Sequence, residues 1–218
     1  MVEEALLAVD KLGFRLGGDW LFRDVDLAVQ PGQIVSIRGD NGAGKTTLLD
    51  LIAGDRRASE GTIALGGVRM GRQAPWRRAR LGMGRLYQGV ESLQSLSARE
   101  IIRLSAPWAA GPASEGPDTW LDALGLVGDR GAPSGQLSWG SQRLLALAGL
   151  FAMEPRLFVL DEPASGLSGP AMAKVSAHLR EVCRTRGAGA VVVEHRRAFL
   201  EGEDVRRFVL TDQRLVAE

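Results

Sequence analysis

The stretch Gly39-Asp40-Asn41-Gly42-Ala43-Gly44-Lys45-Thr46 lies between a short β-branched run, "QIVSIRG" (33–39), and an apolar run that stops at Gly54. Three glycines so close together are costly to order, because glycine loses the most backbone freedom on folding. The cost makes sense if backbone N–H groups turn inward around an anion. That arrangement needs φ values glycine tolerates and an approach that a Cβ blocks. A helix beginning near Lys45 adds the partial positive charge of its N-terminus. Gly-x-x-x-x-Gly-Lys-Thr after a strand and before a helix is a phosphate-binding loop of the Walker A type. In such a loop Lys45 reaches the β- and γ-phosphates and the Thr46 hydroxyl ligates Mg²⁺. Gly39, Asp40, Asn41, Gly42, Ala43, Gly44 and Thr47 are expected to complete the nucleotide contacts. Lysine occurs only at positions 11, 45 and 174, so the one in this loop stands out in an arginine-rich chain.

The remainder of the chain fits that loop. "ALLAVDKLGFRLGG" and "WLFRDVDLAV" alternate as strands around a turn at Gly17-Gly18, and "EGTIALGGVRM" reads as a further hairpin. Helices are predicted over 45–53, 141–153 and 169–186, and buried strands over 156–162 ("RLFVLDE") and 189–195 ("GAVVVEH"). From about Leu93 to Leu126 the pattern is helical, broken by the loop-forming "SAPWAAGPASEGPD". Alternating strand and helix implies an α/β fold with a parallel sheet, a β-rich N-terminal part and a helical insert.

Hydrolysis requires acidic groups beside the phosphate, and "RLFVLDEP" offers two at the end of an apolar strand. Consecutive strand residues point in different directions, so the pair can divide the work. Asp161 would hold the shell of Mg²⁺, and Glu162 would polarise the attacking water as general base.

Composition excludes several other classes. A net charge of +1 over 218 residues does not describe an electrostatic nucleic-acid binder. Cys183 is the only cysteine, which rules out an intrachain disulfide and suits a reducing compartment. The N-terminal "MVEEALLAVD" has no signal-peptide pattern. No apolar run approaches the roughly 20 residues that span a bilayer; "LLALAGLFAM" (144–153) reads as a buried helix.

These motifs occur in a particular order, and with them the chain resembles the ATP-binding-cassette (ABC) ATPases from about Leu7 to Val216. The matching stretches are the Walker A loop, "LIAG", "SEGTI", the Tyr87-Gln88 pair, "LSWGSQR" (137–143), the Walker B "LFVLDEP", "SGLS", and "VVVEH" ending at His195. "ARLGMGRLYQ" and "VEH" look like the subgroup serving branched-chain amino-acid and urea importers. The resemblance implies a P-loop NTPase core with a parallel sheet, an N-terminal antiparallel β subdomain and an inserted α-helical subdomain at 89–145. Together these make a single domain, 1–218. It implies that Gln88 touches the metal or water, and that Ser138 and Gly140 contact the γ-phosphate held by a second ATPase subunit. His195 would hydrogen-bond the γ-phosphate and orient the water. ATP and Mg²⁺ are the implied cofactors and transmembrane permease subunits the implied partners, with no direct nucleic-acid contact. The location would be cytoplasmic, peripheral at the inner face of the cell membrane. One Walker A, no heptad run and near-neutral charge argue against the soluble relatives that act on DNA or ribosomes. Intact Glu162 and His195 argue against a module that binds without hydrolysing.

The departures from the family pattern are local. Trp139 replaces the first glycine of the usual LSGGQ, and Ser141 replaces the glutamine. Trp139 either packs within the helical insert or contacts nucleotide. Leu16 stands where an aromatic usually stacks on adenine, leaving Phe14 or Trp20 as substitutes. Ser168 takes the place of the D-loop aspartate, and Arg196 follows His195. His178 and Cys183 read as packed core groups. Arg72, Arg77, Arg78, Arg80 and Arg85 form either a solvated face or a docking surface for a membrane partner or anionic headgroups.

Overall fold

The computed structural model describes residues 5–88, 93–106, 116–202 and 204–218. Part of the expected loop at 105–118, and the expected start of the helical insert at 89, lie outside them.

Two sheets organise the chain. The first is antiparallel, in the order β2-β1-β4-β5, from β1 (Leu7–Leu16), β2 (Asp19–Val29), β4 (Glu60–Leu65) and β5 (Val68–Arg69). The second has the order β10-β9-β3-β8-β7-β6. Its strands are β3 (Ile34–Arg38), β6 (Met83–Leu86), β7 (Leu157–Asp161), β8 (Gly189–Val193), β9 (Val205–Thr211) and β10 (Arg214–Ala217). All neighbours there are parallel except β9 and β10. The apolar β7 and β8 are buried on both faces, as parallel strands covered on both sides must be. Successive side chains go to opposite cores. Phe158, Leu160, Ala190 and Val192 face one, while Leu157, Val159, Val191 and Val193 face the other.

Helices cover both faces. α1 (Lys45–Ala53) packs Leu48, Leu49, Leu51 and Ile52 into the core shared with β1 and β2. α2 (Pro75–Arg80) leads into β6. α3 (Ala98–Ser105), α4 (Pro117–Leu124), α5 (Trp139–Ala152) and α6 (Gly169–Arg186) contribute to the other core. The ends of these helices carry their own stop and start signals. Ser97 and Glu100 close a reciprocal capping box at α3, and Ser168 caps α6, which stops at Gly187 in the left-handed conformation. His178 is half-buried against the second core, with ring centroids 5.2 Å from Trp120 and 4.6 Å from Phe151. Cys183 is enclosed there, and burial pushes its thiol up to about 12.

The five-arginine segment divides in two, correcting the expectation of one surface. Arg78 is buried and donates to the carbonyls of Leu51 and Ile52 at 2.8 and 2.6 Å, satisfying the free end of α1. Arg85 is also inside and pairs with Asp50 at 3.1 Å. Arg72, Arg77 and Arg80 remain exposed, with Arg77 and Arg80 at 5.0 and 5.2 Å from the ring of exposed Trp76.

Arg143 of α5 is a fully buried cation. Its guanidinium donates to the carbonyls of Tyr87 (2.6 Å), Asp161 (2.6 Å) and Glu162 (2.7 Å), tying α5 to the ends of β6 and β7. Burial lowers its pKa, and the charges of Asp161, Glu162 and Glu194 oppose that. Arg143→Met would orphan three carbonyls at a cost of about 1–3 kcal/mol each, so we expect at least ~3 kcal/mol lost in urea unfolding. A loss under about 1 kcal/mol would show that water replaces the guanidinium.

Candidate functional site

The phosphate loop joins β3 to α1, and its glycines have separate reasons to be glycine. Gly39 has φ of 149°, and a Cβ there would come within 2.4 Å of the Leu210 carbonyl oxygen in β9. Gly44 has φ of 99°, and a Cβ would meet Leu21 and Phe22 at 2.9 Å. The loop is therefore held close against β9 on one side and β2 on the other. Lys45 is 7% exposed and its ammonium donates to the carbonyls of Gly39 and Asp40, both at 2.8 Å. Burial lowers its pKa, while Glu162, Asp161 and Asp40 favour the cation.

Leu16, Asn41, Gly42, Gly44, Lys45, Thr46, Thr47, Gln88, Glu162 and His195 line one hollow of about 320 Å³, together with Leu21 and Val193. Residues from five separate stretches thus converge. Asp161 lies just behind and is 1% exposed. Burial raises its pKa, against the pull of Thr46 and of Arg85, which approaches at 3.5 Å. Asp40 and Ala43 line the neighbouring hollow beside Trp20. Ser138 and Gly140 sit at the N-terminus of α5 and do not line the hollow. Ser138 is the cap of that helix, accepting from the Ser141 N–H at 3.1 Å.

Glu162 has φ of 46°, a left-handed backbone rare for a residue other than glycine and characteristic of strained functional positions. It is held by its N–H to Val193 O at 2.8 Å and by the Arg143 bond to its own carbonyl. Its carboxylate stands 3.6 Å from His195 Nε2. His195 is oriented from behind by buried Glu194, whose carboxylate accepts from the N–H groups of Ala164, His195 and Arg196, each at 2.9 Å. Arg143 and Glu194 were not expected at the site, although each is a charge within or next to an apolar run, and Arg85 was expected only as part of an exposed basic group. Only that oddity could have marked them.

Neither proposed substitute for the stacking aromatic reaches the hollow. Phe14 packs toward Phe22, with ring centroids 6.5 Å apart, and the Arg15 guanidinium covers Trp20 at 4.0 Å. Leu16 lines the hollow and is 60% exposed, so the base would meet an aliphatic surface. With roughly 1 kcal/mol of stacking missing, GTP should support hydrolysis within about tenfold of ATP. Steady-state rates with both nucleotides test this, and a preference of several hundredfold would point to another base-recognising group.

A glycine loop at a helix N-terminus, with a lysine inside and two carboxylates opposite, defines a P-loop nucleotide-binding site. Comparison with known proteins narrows the class. The family model described as ABC transporter matches residues 22–165. A probable ABC transporter ATP-binding protein of Azorhizobium caulinodans is 34% identical over 196 residues, covering 88% of this chain and 69% of that protein. The high-affinity branched-chain amino acid transport ATP-binding protein LivG of Escherichia coli K12 is 28% identical, covering 96% and 89%. The cytochrome c biogenesis ATP-binding export protein CcmA of Bordetella parapertussis is 35% identical, covering 88% and 84%. Among solved structures, a dimeric post-hydrolysis ATP-binding cassette bound to ADP and Pi shares the fold with a TM-score of 0.82. It is 22% identical and covers 97% of both chains. The chain belongs to the ABC transporter family and is an ATPase subunit of that kind. Among the described residues no helix is long and apolar enough to cross a membrane.

Proposed function

We propose that this chain is the ATP-hydrolysing subunit of a multi-subunit transporter, pairing head to tail with a second ATPase subunit and driving transmembrane permease subunits. The observation that carries this reading is the convergence of Lys45, Thr46, Gln88, Glu162 and His195 on one hollow, while Ser138 and Gly140 lie outside it. In this reading the second group serves another chain. Residues 89–145 would act as a helical subdomain presenting that face, within a single domain of 1–218.

In this reading Lys45 exchanges the carbonyls of Gly39 and Asp40 for phosphate oxygens. The residues fit a magnesium ion. Among the described residues Asp161 Oδ1 is buried with no hydrogen-bond partner, and the Thr46 hydroxyl favours the ionised form of the same carboxyl group. Thr46, Gln88 and Asp161 would hold the ion, which supplies charge neutralisation at the phosphates. Glu162 takes the proton of the attacking water, and His195 beside it hydrogen-bonds the γ-phosphate and keeps that water aligned. Strain in the Glu162 backbone is consistent with a carboxylate fixed before substrate arrives.

The uptake of amino acids or similar small solutes is the transport we favour, supported by the likeness to LivG over most of both chains. The exposed face of Trp76, Arg77 and Arg80 is the surface we assign to a permease subunit, which would place the chain at the inner face of the cell membrane. Purification from native membranes tests the assignment. A polytopic membrane protein should accompany the chain, and solute should stimulate the ATPase of the complex. Recovery with ribosomes or DNA and no membrane partner would refute it.

A further inference from the structure

The tryptophan that breaks the signature pattern has a specific place. Trp139 is the first residue of α5, and its side chain is about half exposed. Its six-membered ring fills the space into which a side chain at Gly166 would project. A Cβ built there would fall 1.5 Å from Trp139 Cζ3 and 2.0 Å from Cε3. Gly166 has φ of 70°, so backbone conformation and close approach both demand glycine. The next residue of α5 also meets this loop, since a Cβ at Gly140 would lie 3.3 Å from the Gly166 carbonyl oxygen. Trp139 is not among the residues that line the nucleotide hollow. It contacts the loop after β7.

That loop is anchored to the catalytic strand ends from its other side. Arg196, next to His195, donates to the carbonyls of Ala164 (3.2 Å) and Leu167 (2.8 Å). Glu194 accepts from the Ala164 N–H, and Ser165 N–H donates to the Glu162 carbonyl at 3.0 Å. A continuous path of contacts runs from the cap of α5, through Trp139 and Gly166, to the backbone on either side of Glu162 and His195. Helix α5 is gripped a second time, one turn further on, by Arg143 at the carbonyls of Asp161 and Glu162.

We infer that Trp139 is a positioning residue, which locks the Ser138–Gly140 turn to the 163–168 loop so that engagement of that turn by a partner's nucleotide is felt at this chain's own Glu162 and His195. The inference rests on the head-to-tail reading above. Glycine at position 139 would leave α5 able to move without the loop. A phenyl ring would keep part of the contact.

The test uses Trp139→Gly, Trp139→Phe and Gly166→Ala in the full chain, with ATP affinity, turnover, Hill coefficient and thermal midpoint measured for each. For Trp139→Gly we expect ATP affinity within about twofold of wild type but turnover at least ~10-fold lower, the scale on which remote misplacement acts on an active site. The Hill coefficient should fall toward about 1, because coupling between sites is lost. Trp139→Phe should recover at least about threefold of that rate. Gly166→Ala should lose as much as Trp139→Gly by displacing the ring, and combining the two should cost less than the product of the single losses. Alanine at this φ is itself strained, so Trp139→Gly is the background in which the methyl group is judged. Normal turnover and cooperativity in folded Trp139→Gly would overturn the inference. So would multiplicative losses in the double variant, or no recovery with phenylalanine. ATP-driven dimerisation of Glu162→Gln separates the two levels. If that variant does not dimerise and the Lys45→Ala and Ser138→Arg mixture stays inactive, the head-to-tail reading has failed; if it dimerises while Trp139→Gly behaves as wild type, only the role of Trp139 has.

Discussion

Glu162→Gln should bind ATP as wild type does and hydrolyse it at least ~100-fold more slowly, the usual scale for loss of a general base. The substitution isolates the proton-accepting function. Glutamine keeps the side-chain length and occupies the same left-handed backbone position at about the same cost as glutamate. The Arg143 and Val193 hydrogen bonds that fix this position involve only the backbone of residue 162, so they survive the change. A fall in rate can then be assigned to the carboxylate rather than to a collapsed strand end. Single-turnover hydrolysis with bound nucleotide quantified separately is the measurement. Turnover near wild type would remove Glu162 from the mechanism and leave His195 as the remaining candidate base.

Mixing two inactive variants should restore activity. Lys45→Ala removes the cation of the glycine loop, and Ser138→Arg places a bulky charge at the cap of α5, outside the hollow of its own chain. Each alone should be nearly inactive. A mixed dimer has one site in which the phosphate loop comes from the Ser138 variant and the α5 turn from the Lys45 variant. Both contributions to that site are wild type, so ATPase activity should return to a fraction of the wild-type rate. Dimerisation of Glu162→Gln should tighten with ATP and Mg²⁺, because ligand held between two chains stabilises their association. If the Glu162→Gln protein dimerises and the mixture stays inactive, the natural partner is a different ATPase subunit. Failure of both would reject a site shared between chains.

The groups that proved legible in the sequence are those whose neighbours in the chain carry the signal. The phosphate loop declares itself through glycine spacing, and α1 and α6 begin and end where their flanking residues require. Asp161, Glu162 and His195 follow apolar runs that read as buried strands, and β7 and β8 are where those runs lie. What escaped depends on partners distant in sequence. Arg143 bonds to carbonyls 18 to 56 residues away, and in "LSWGSQRLLALA" only its place beside an apolar run separates it from a surface arginine. Arg78 caps a helix that ended 25 residues earlier, so a local view of its charged neighbourhood placed it in solvent. Strands β6 and β10 are four-residue edge elements and β9 lies between β10 and β3, so their identity comes from pairing with β7, β9 and β3. Leu16 could be aligned with a missing aromatic, yet only the structure shows that Phe14 and Trp20 are engaged elsewhere.

Cys183 matters for a reason unrelated to catalysis. It is the only thiol in the chain, it is enclosed by the second core, and burial holds it protonated with a pKa pushed up to about 12. Thiolate is the reactive form, so maleimide and iodoacetamide reagents should pass the native protein by. A single cysteine installed at exposed Trp76 or Arg80 would then be the sole labelled position, with no need to remove the native residue from a packed core. The molecule is in effect already prepared for spin labels, fluorophores or crosslinkers, and distances between two subunits can be read during turnover on an otherwise unmodified chain.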